Sequence, residues 1–396
     1  MKAAGCESQG PRLVFFTGGT ALRDLSRCLA RYTRNSVHLV TPFDSGGSSA
    51  ALRKAFAMPA VGDMRNRLLA LADSASVPQA VLDFCADRLP PVGDAAALRT
   101  CLRRMGQAHH EVWQKMPESH AEPLRRQLCC FLERMPADFE PHLASLGNLV
   151  LAGGYLQHKR DFGPILSLLG QLLRVRGVVC PIVDESLHLA AELSDGSLLV
   201  GQHTFKNLRQ PVRRLFLTVH EPGRLPAVQG GTSGPQTPCR PPLSADAAAW
   251  LRAPAAICYP MGSFYTSVLA NLLPQGVGRA IAAARCPKIF IPNSGQDPEL
   301  CGLSLSGQVA MLLRHLREDA PHAPTEDLLR WVMVDSQNGR YQGGLGADVR
   351  QELENLGVRL LLRGMVSPDD PQRHEPELTV RALLALVAES GGVEHS

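Results

Sequence analysis

The chain has 396 residues, 45% of them hydrophobic and 20% charged, with a formal net charge of +4. So small a charge on so long a chain gives no global case for nucleic-acid binding, although a local anion site stays open. Aromatic residues are only 5%, while Gly (35) and Pro (30) are plentiful, which suits an α/β fold with tight loops better than an all-β sandwich.

The eleven cysteines are scattered from Cys6 to Cys301 without a C-x-x-C pair or a histidine cluster at ligand spacing. They read as buried free thiols of a reducing compartment, not as a disulfide framework or a metal site. The opening MKAAGCESQGPR has no apolar leader core, and no run approaches the ~20 apolar residues of a membrane helix. The expectation is a cytoplasmic protein with no membrane contact.

In chain order, the first unit is a βαβ pattern. A short apolar strand over 12–16 leads into the turn Thr17-Gly18-Gly19-Thr20. A helix over 21–31 follows, with Leu22, Leu25, Leu29 and Ala30 at helical spacing. A second strand covers 37–40. After it come a loop of small residues, Asp44-Ser45-Gly46-Gly47-Ser48-Ser49, and then Gly62-Asp63-Met64-Arg65-Asn66 leading into a helix.

Residues 76–142 read as amphipathic helices with basic faces, notably 95–115 and 122–134, whose arginines suit solvated surfaces. Ser145-Leu146-Gly147-Asn148 opens an apolar helix, and another spans 162–173. From Val178 the period changes toward two, and the Asp195-Gly196 turn between alternating runs signals a β-hairpin. Residues 221–247 are rich in Pro, Gly, Ser and Thr and read as a loop without a core of its own. Strands over 255–259, 288–291, 331–334 and 359–362 then alternate with helices over 303–315, 347–355 and 377–389. This alternation predicts an α/β fold, a three-layer Rossmann-like parallel sheet with helices on both faces and a helical insertion. The segments are an N-terminal nucleotide-binding part (1–75), a helical insertion (76–142), core helices with a β-hairpin (143–220), the Pro/Gly-rich loop (221–247) and the C-terminal half of the same core (248–396).

The turn Gly18-Gly19-Thr20 stands between a strand and a helix start, where free N–H groups favour an anion; it reads equally as a plain βα turn, since it is neither G-x-G-x-x-G nor a P-loop. Asp44, just past the second strand, sits where a carboxylate meets a ribose hydroxyl or a metal. Gly46, Gly47 and Ser48 offer a second phosphate nest. Asp63 is either a favourable charge at a helix start or a second carboxylate for metal or general-base work.

Taken in order, these segments together with Leu146-Gly147-Asn148-Leu149, Arg176-Gly177, Asp184-Glu185, Gly262-Ser263-Phe264-Tyr265-Thr266-Ser267, Asn271-Leu272-Leu273-Pro274, Asn293 and His374-Glu375-Pro376 resemble a known family. It joins 2-phospho-L-lactate transferase (CofD) with the gluconeogenesis-factor, YvcK-like proteins. The resemblance implies a Rossmann-like fold holding a nucleotide conjugate. In the transferase branch a phospholactyl-type group moves from a guanosine diphosphate conjugate to a deazaflavin hydroxyl with Mg²⁺, a step of coenzyme F420 biosynthesis. Carried over, it implies Asp44 and Asp63 as catalytic residues and Asp44 as a metal ligand. Gly18, Gly19, Thr20, Gly46, Gly47, Ser48, Asn148, Gly262, Ser263 and Asn293 would hold the nucleotide.

The sequence departs from the family pattern in four places. Ala21 stands where the family has glycine, and Ser45 replaces the second of two paired aspartates. Met261 interrupts the Gly-Pro-Gly-Ser segment, and Glu375 replaces an aspartate. Losing one carboxylate weakens a Mg²⁺ site, because hard cations bind through oxygen charge and ligand count. The first reading is therefore a CofD-like transferase, and the alternative is a YvcK-like nucleotide-sugar-binding regulator without catalysis. A third is a subunit of a multiprotein system, such as the CofD-like component of an ATP-grasp-associated (GAK) system. A homodimer would be typical of the superfamily.

Overall fold

The computed structural model describes residues 10–19, 21–206, 208–220, 223–225 and 238–391. Among the described residues the strands are β1 (Leu13–Thr17), β2 (Ser36–Val40), β3 (Val178–Pro181), β4 (His188–Leu193), β5 (Leu198–Val200), β6 (Val212–Thr218), β7 (Gly223–Leu225), β8 (Ala256–Tyr259), β9 (Lys288–Phe290), β10 (Trp331–Val334) and β11 (Arg359–Leu362). Seven form one sheet in the order β11-β10-β9-β8-β1-β2-β3. Every pairing in it is parallel. The Rossmann-like α/β class expected from the strand–helix alternation is what the chain adopts.

All five residues of β1 are buried, as a central parallel strand requires when both faces are covered. Val14 and Phe16 join one core together with Val37, Leu39, Ile257 and Tyr259. Leu13 and Phe15 point the other way, into a core shared with Leu22, Leu25 and Leu383. The period of two along the strand thus feeds two layers at once. Each fully buried phenylalanine contributes about 1.5–3 kcal/mol.

The chain moves outward from β1 through β2 to β3, returns to the centre at β8, and moves outward again through β9 and β10 to β11. The strand order therefore reverses between β1 and β8. In open α/β sheets the crevice beyond the carboxyl ends at such a reversal is where ligands bind. Three helices matter most for that crevice: α1 (Arg23–Leu29), α2 (Gly47–Phe56) and α3 (Gly62–Leu71).

The structure differs from the sequence expectation in several elements. The hairpin β4–β5 is the middle of a four-stranded sheet in the order β6-β4-β5-β7. β6 escapes a simple alternation count because Arg213 and Arg214 interrupt it. β7 also lies within the stretch expected to be loop, where Gly223 pairs with Val200 and Leu225 with Leu198; residues 226–237 of that stretch are outside the described residues. The expected helix over 95–115 is two pieces, Ala95–Met105 and Glu111–Gln114, separated at Gly106. The small-residue loop after Asp44 already turns helical at Gly47. The cysteines from Cys28 to Cys301 carry free thiols, and no described helix is long and apolar enough to cross a membrane.

Helices Glu118–Arg134 and Leu146–Gln157 pack so closely that a Cβ added at Gly153 would overlap the Gln127 carbonyl oxygen and lie 3.0 Å from Phe131 N. Backbone atoms cannot step aside cheaply, so Gly153→Ala should cost about 1–3 kcal/mol of overpacking. A urea titration should show a lower midpoint; an unchanged midpoint would mean that the helices separate freely.

Candidate functional site

The crevice is built from three loops at the carboxyl ends of β1, β2 and β8. After β1, Gly18 faces Ser267: a Cβ there would overlap Ser267 Oγ and lie 2.8 Å from its Cβ. The close approach accounts for glycine at this position. Asn271 Nδ2 clips the two sides together, donating to Thr17 O at 2.9 Å and to Ser267 O at 2.7 Å. Below the turn lies Arg67 of α3, only 1% exposed. Its Nη1 donates to Ser26 Oγ at 2.6 Å, and its Nη2 to Gly18 O at 3.1 Å and Gly19 O at 3.3 Å. Thr20 lies outside the described residues.

After β2, Asp44 Oδ1 accepts the Gly46 N–H at 3.0 Å, closing an Asx turn. The following residues open α2, whose N-cap Gly46 supplies no side chain to the first amides. The Gly47, Ser48 and Ser49 N–H groups therefore present the positive end of the helix. Asn148 Nδ2 donates to Ser48 Oγ at 2.7 Å, and Asn148 Oδ1 is buried without a partner. A Cβ at Gly62 would stand 2.8 Å from Ser49 Oγ, 3.3 Å from Asp44 Oδ2 and 3.9 Å from Asn148 Nδ2. Asp44, Ser48, Ser49 and Asn148 thus meet over the start of α3.

Asp63, the next residue, is buried, and its Oδ2 lacks any hydrogen-bond partner. Burial pushes its carboxyl up to about 7, and the charge of Asp44 adds to the rise; Arg67, Arg65 and the Gly19 N–H pull the other way. A carboxyl that titrates near neutrality in a crevice is suited to taking up a proton.

The loop after β8 behaves differently. The Gly262 N–H donates to Asn293 Oδ1 at 2.9 Å, and Asn293 Nδ2 donates back to Gly262 O at 2.6 Å and to Asp297 Oδ2 at 3.1 Å. Asp297 Oδ2 also accepts the Phe264 N–H at 3.1 Å. Glu299 accepts the N–H groups of Tyr265 at 2.9 Å and Thr266 at 3.0 Å, and the Thr266 hydroxyl at 2.6 Å. Burial pushes Glu299 up to about 7 while the Thr266 and Tyr265 donors hold it down. The first amides of the Phe264–Val268 turn are therefore filled by the protein's own carboxylates, and Asn293 shapes the loop through its backbone. Gly262, with φ 147°, and Ser263 still line a cleft of about 170 Å³ with Thr17, Gly18, Gly19 and Ser267.

The structure thus gathers Gly18, Gly19, Gly262 and Ser263 around one cleft, and Asp44, Gly46, Gly47, Ser48 and Asn148 around the start of α2, with Asp63 reached from Gly19 and from Asp44. Several contributors carry no motif. Gln202, beyond β5, lines the cleft with an unpartnered buried Oε1. It is held there because Ser45 Oγ pairs with His203 Nδ1 at 2.8 Å and accepts the His203 N–H at 3.3 Å. Asp297 and Glu299 belong to a loop whose acidic residues would suit solvent, yet both are buried. Arg67 was hidden among other arginines, its one signal being its place four residues after Asp63.

Residues 13–362 match the family of 2-phospho-L-lactate transferase CofD. The chain belongs to the CofD family. It is 28% identical to the gluconeogenesis factor of Bacillus subtilis over 394 residues, covering 96% of this chain and 99% of that protein. It is 29% identical to the gluconeogenesis factor of Halalkalibacterium halodurans over 304 residues, 76% of this chain and 73% of that one. A crystal structure of a UPF0052 family member from Bacillus halodurans superposes with a TM-score of 0.62 at 24% identity, covering 95% of this chain and all of the other. That likeness supports the shared fold.

The raised Asp63 gives a pH signature. Between its ordinary 3.8 and about 7, the folded state holds a proton that the unfolded state has released. Stability therefore falls as pH rises through that window, and the penalty is fully present above about 7. Asp63→Asn should melt above the wild type at about pH 8, with the gap closing toward about pH 4. A gap independent of pH would mean that Asp63 is ionised throughout.

Proposed function

We propose that this CofD-family protein binds a nucleotide diphosphate conjugate in the crevice beyond β1, β2 and β8, and transfers a phosphate-linked group from it to an acceptor hydroxyl. The observation that carries the reading is Asp63: a buried carboxyl with a free oxygen, pushed up to about 7 and flanked by two glycine turns. The open amides of Gly47 to Ser49 suit the diphosphate, and Asn148 Oδ1 and Gln202 Oε1 are acceptors awaiting donors from a ligand. In the transfer the acceptor O–H gives its proton to Asp63, the oxygen forms a new P–O bond, and the P–O bond to the departing nucleoside monophosphate breaks. The protein contributes positioning and charge stabilisation.

The family's Mg²⁺ fits this donor set in one mode. Asp44 and Asn148 Oδ1 are hard oxygen donors, but no described group of three or more His, Cys, Asp or Glu could hold a metal alone. The ion would be held by these residues with the ligand's phosphates completing its shell. When bound it neutralises charge on the diphosphate.

A second reading has its own support: the curated relatives above are named gluconeogenesis factors, and Ser45 engages His203 where the family pattern has a carboxylate. It is a regulator that holds a nucleotide sugar without turning it over. Thermal shift and product analysis on the full chain separate the two, using guanosine diphosphate, UDP-N-acetylglucosamine and a deazaflavin acceptor, each with and without Mg²⁺. A bound ligand raises the melting temperature by mass action. The transferase reading expects product, and Asp44→Asn should lower turnover at least 100-fold with the unliganded melting temperature preserved. Saturable binding without product in the wild type would leave the regulator, and full turnover by Asp44→Asn would remove Asp44 from the reaction.

A further inference from the structure

Behind the Gly18–Gly19 turn, on the α1 side, a second cavity opens. It measures about 190 Å³, roughly six times the ~30 Å³ share of a liquid water. Gly19, Arg23, Arg65, Asn66, Arg67, Leu69 and Ala86 line it. It shares Arg23, Leu69 and Ala86 with a wider cleft of about 700 Å³ that also carries Arg27, Arg31 and Arg176. Arg23, Arg27 and Arg31 follow one another at four-residue steps along α1 and just past its end, so one helix face feeds the cleft with guanidinium groups.

The charges here do not balance. Arg65 is 6% exposed and Arg67 1% exposed, and neither makes an ion pair among the described residues. Arg65 Nη2 donates to Asn66 Oδ1 at 2.7 Å, while its Nε and Nη1 and the Arg67 Nε are buried without partners. Arg23 and Arg27, both exposed, make no ion pair or hydrogen bond among the described residues. The nearby acids are otherwise engaged: Asp73 pairs with Arg176 at 2.7 Å, Asp83 accepts from Gln79 at 2.7 Å, and Asp24 pairs with Arg373 at 2.8 Å. Asp63 acts on both buried arginines only through space and makes no ion pair or hydrogen bond with either among the described residues. A buried charge left unpaired is strongly disfavoured, so two guanidinium groups lining one cavity call for an anion.

We propose that this cavity is a second anion site, separate from the nucleotide crevice, which takes the phosphate or diphosphate group of a small molecule between Arg23, Arg65 and Arg67. Guanidinium groups match phosphate oxygens well, and Arg65 Nε and Nη1 are buried donors still without partners. The body of the molecule extends over Leu69 and Leu82 into the wider cleft, toward Arg27; Arg31 is already paired with Glu377 at 2.7 Å. Such a site lets a phosphorylated metabolite act on the Gly18–Gly19 turn from behind, since Arg67 binds both the turn's carbonyls and the cavity.

Calorimetric titration of the full chain with inorganic pyrophosphate at fixed ionic strength tests it. The wild type should bind saturably. The double charge reversal Arg23→Glu/Arg27→Glu, on exposed positions that leave the fold intact, should weaken binding at least tenfold with the unliganded melting temperature unchanged. Arg103→Glu/Arg104→Glu, an equal charge change on the exposed face of the Ala95–Met105 helix, should keep affinity within about twofold. Absence of saturable binding would overturn the proposal. So would equal affinity in all three proteins, which places pyrophosphate in the crevice, or equal loss in both variants, which reduces the effect to the general field of the protein. None of these outcomes bears on product formation at Asp44 and Asp63.

Discussion

The guanidinium of Arg67 is the contact on which the arrangement of the crevice depends. It is buried under the turn after β1 and joins three pieces of chain: Ser26 on α1, the Gly18 and Gly19 carbonyls, and its own helix α3. With its carbonyls held by Arg67, the turn's Gly19 N–H acts on Asp63. The same cation partly offsets the desolvation of Asp63 one helical turn earlier. Position, turn geometry and carboxyl chemistry are therefore tied to one buried charge. Burial lowers the pKa of that charge to about 10, still far enough above neutrality for the guanidinium to remain charged.

The opposite wall of the crevice is held by the reverse charge. Asp297 and Glu299 accept the leading amides of the Phe264–Val268 turn and so act as built-in anions at a place where an α/β protein could otherwise seat a phosphate. With Asn293 closing two hydrogen bonds on Gly262, that loop is rigid and electrostatically satisfied. At the start of α2 the Asp44 carboxylate takes only the Gly46 N–H, and no side chain caps the first amides of the helix. The β2 side therefore keeps open helix-start amides, while the β8 side is filled by the protein's own groups.

Much of the fold was legible because its signals are local and repeated: buried strands of four or five residues, helices at a 3.6 period, and glycine turns between them. The crevice was legible for the same reason, since Gly18-Gly19, Asp44 to Ser49 and Gly62-Asp63 each follow a strand or open a helix. What escaped depends on long-range partners. β6 is a strand because β4 lies beside it, not because of its own pattern, with Leu217 opposite Leu189 and Phe216 opposite Ala190. Glu299 is separated from Thr266 by 33 positions and Arg67 from Ser26 by 41. No spacing rule reveals that a particular glutamate or arginine is the buried one.

The departure at Ser45 shows how a lost carboxylate can be absorbed. A serine hydroxyl there does not leave a gap, since it pairs with His203 Nδ1 and also accepts that residue's N–H. His203 sits in the short turn Gln202–Phe205 directly after β5, so the bond fastens the antiparallel sheet to the loop beyond β2. Gln202 is carried into the cleft by the same turn, bringing a neutral amide where the crevice has lost an acid. The change exchanges negative charge for a fixed hydrogen-bonding wall. The wall it leaves is neutral and polar instead of acidic. A neutral amide cannot neutralise a metal, but it can donate to or accept from a sugar or base at little desolvation cost compared with a carboxylate. The contact thus ties the loop beyond β2 to the position of the second sheet.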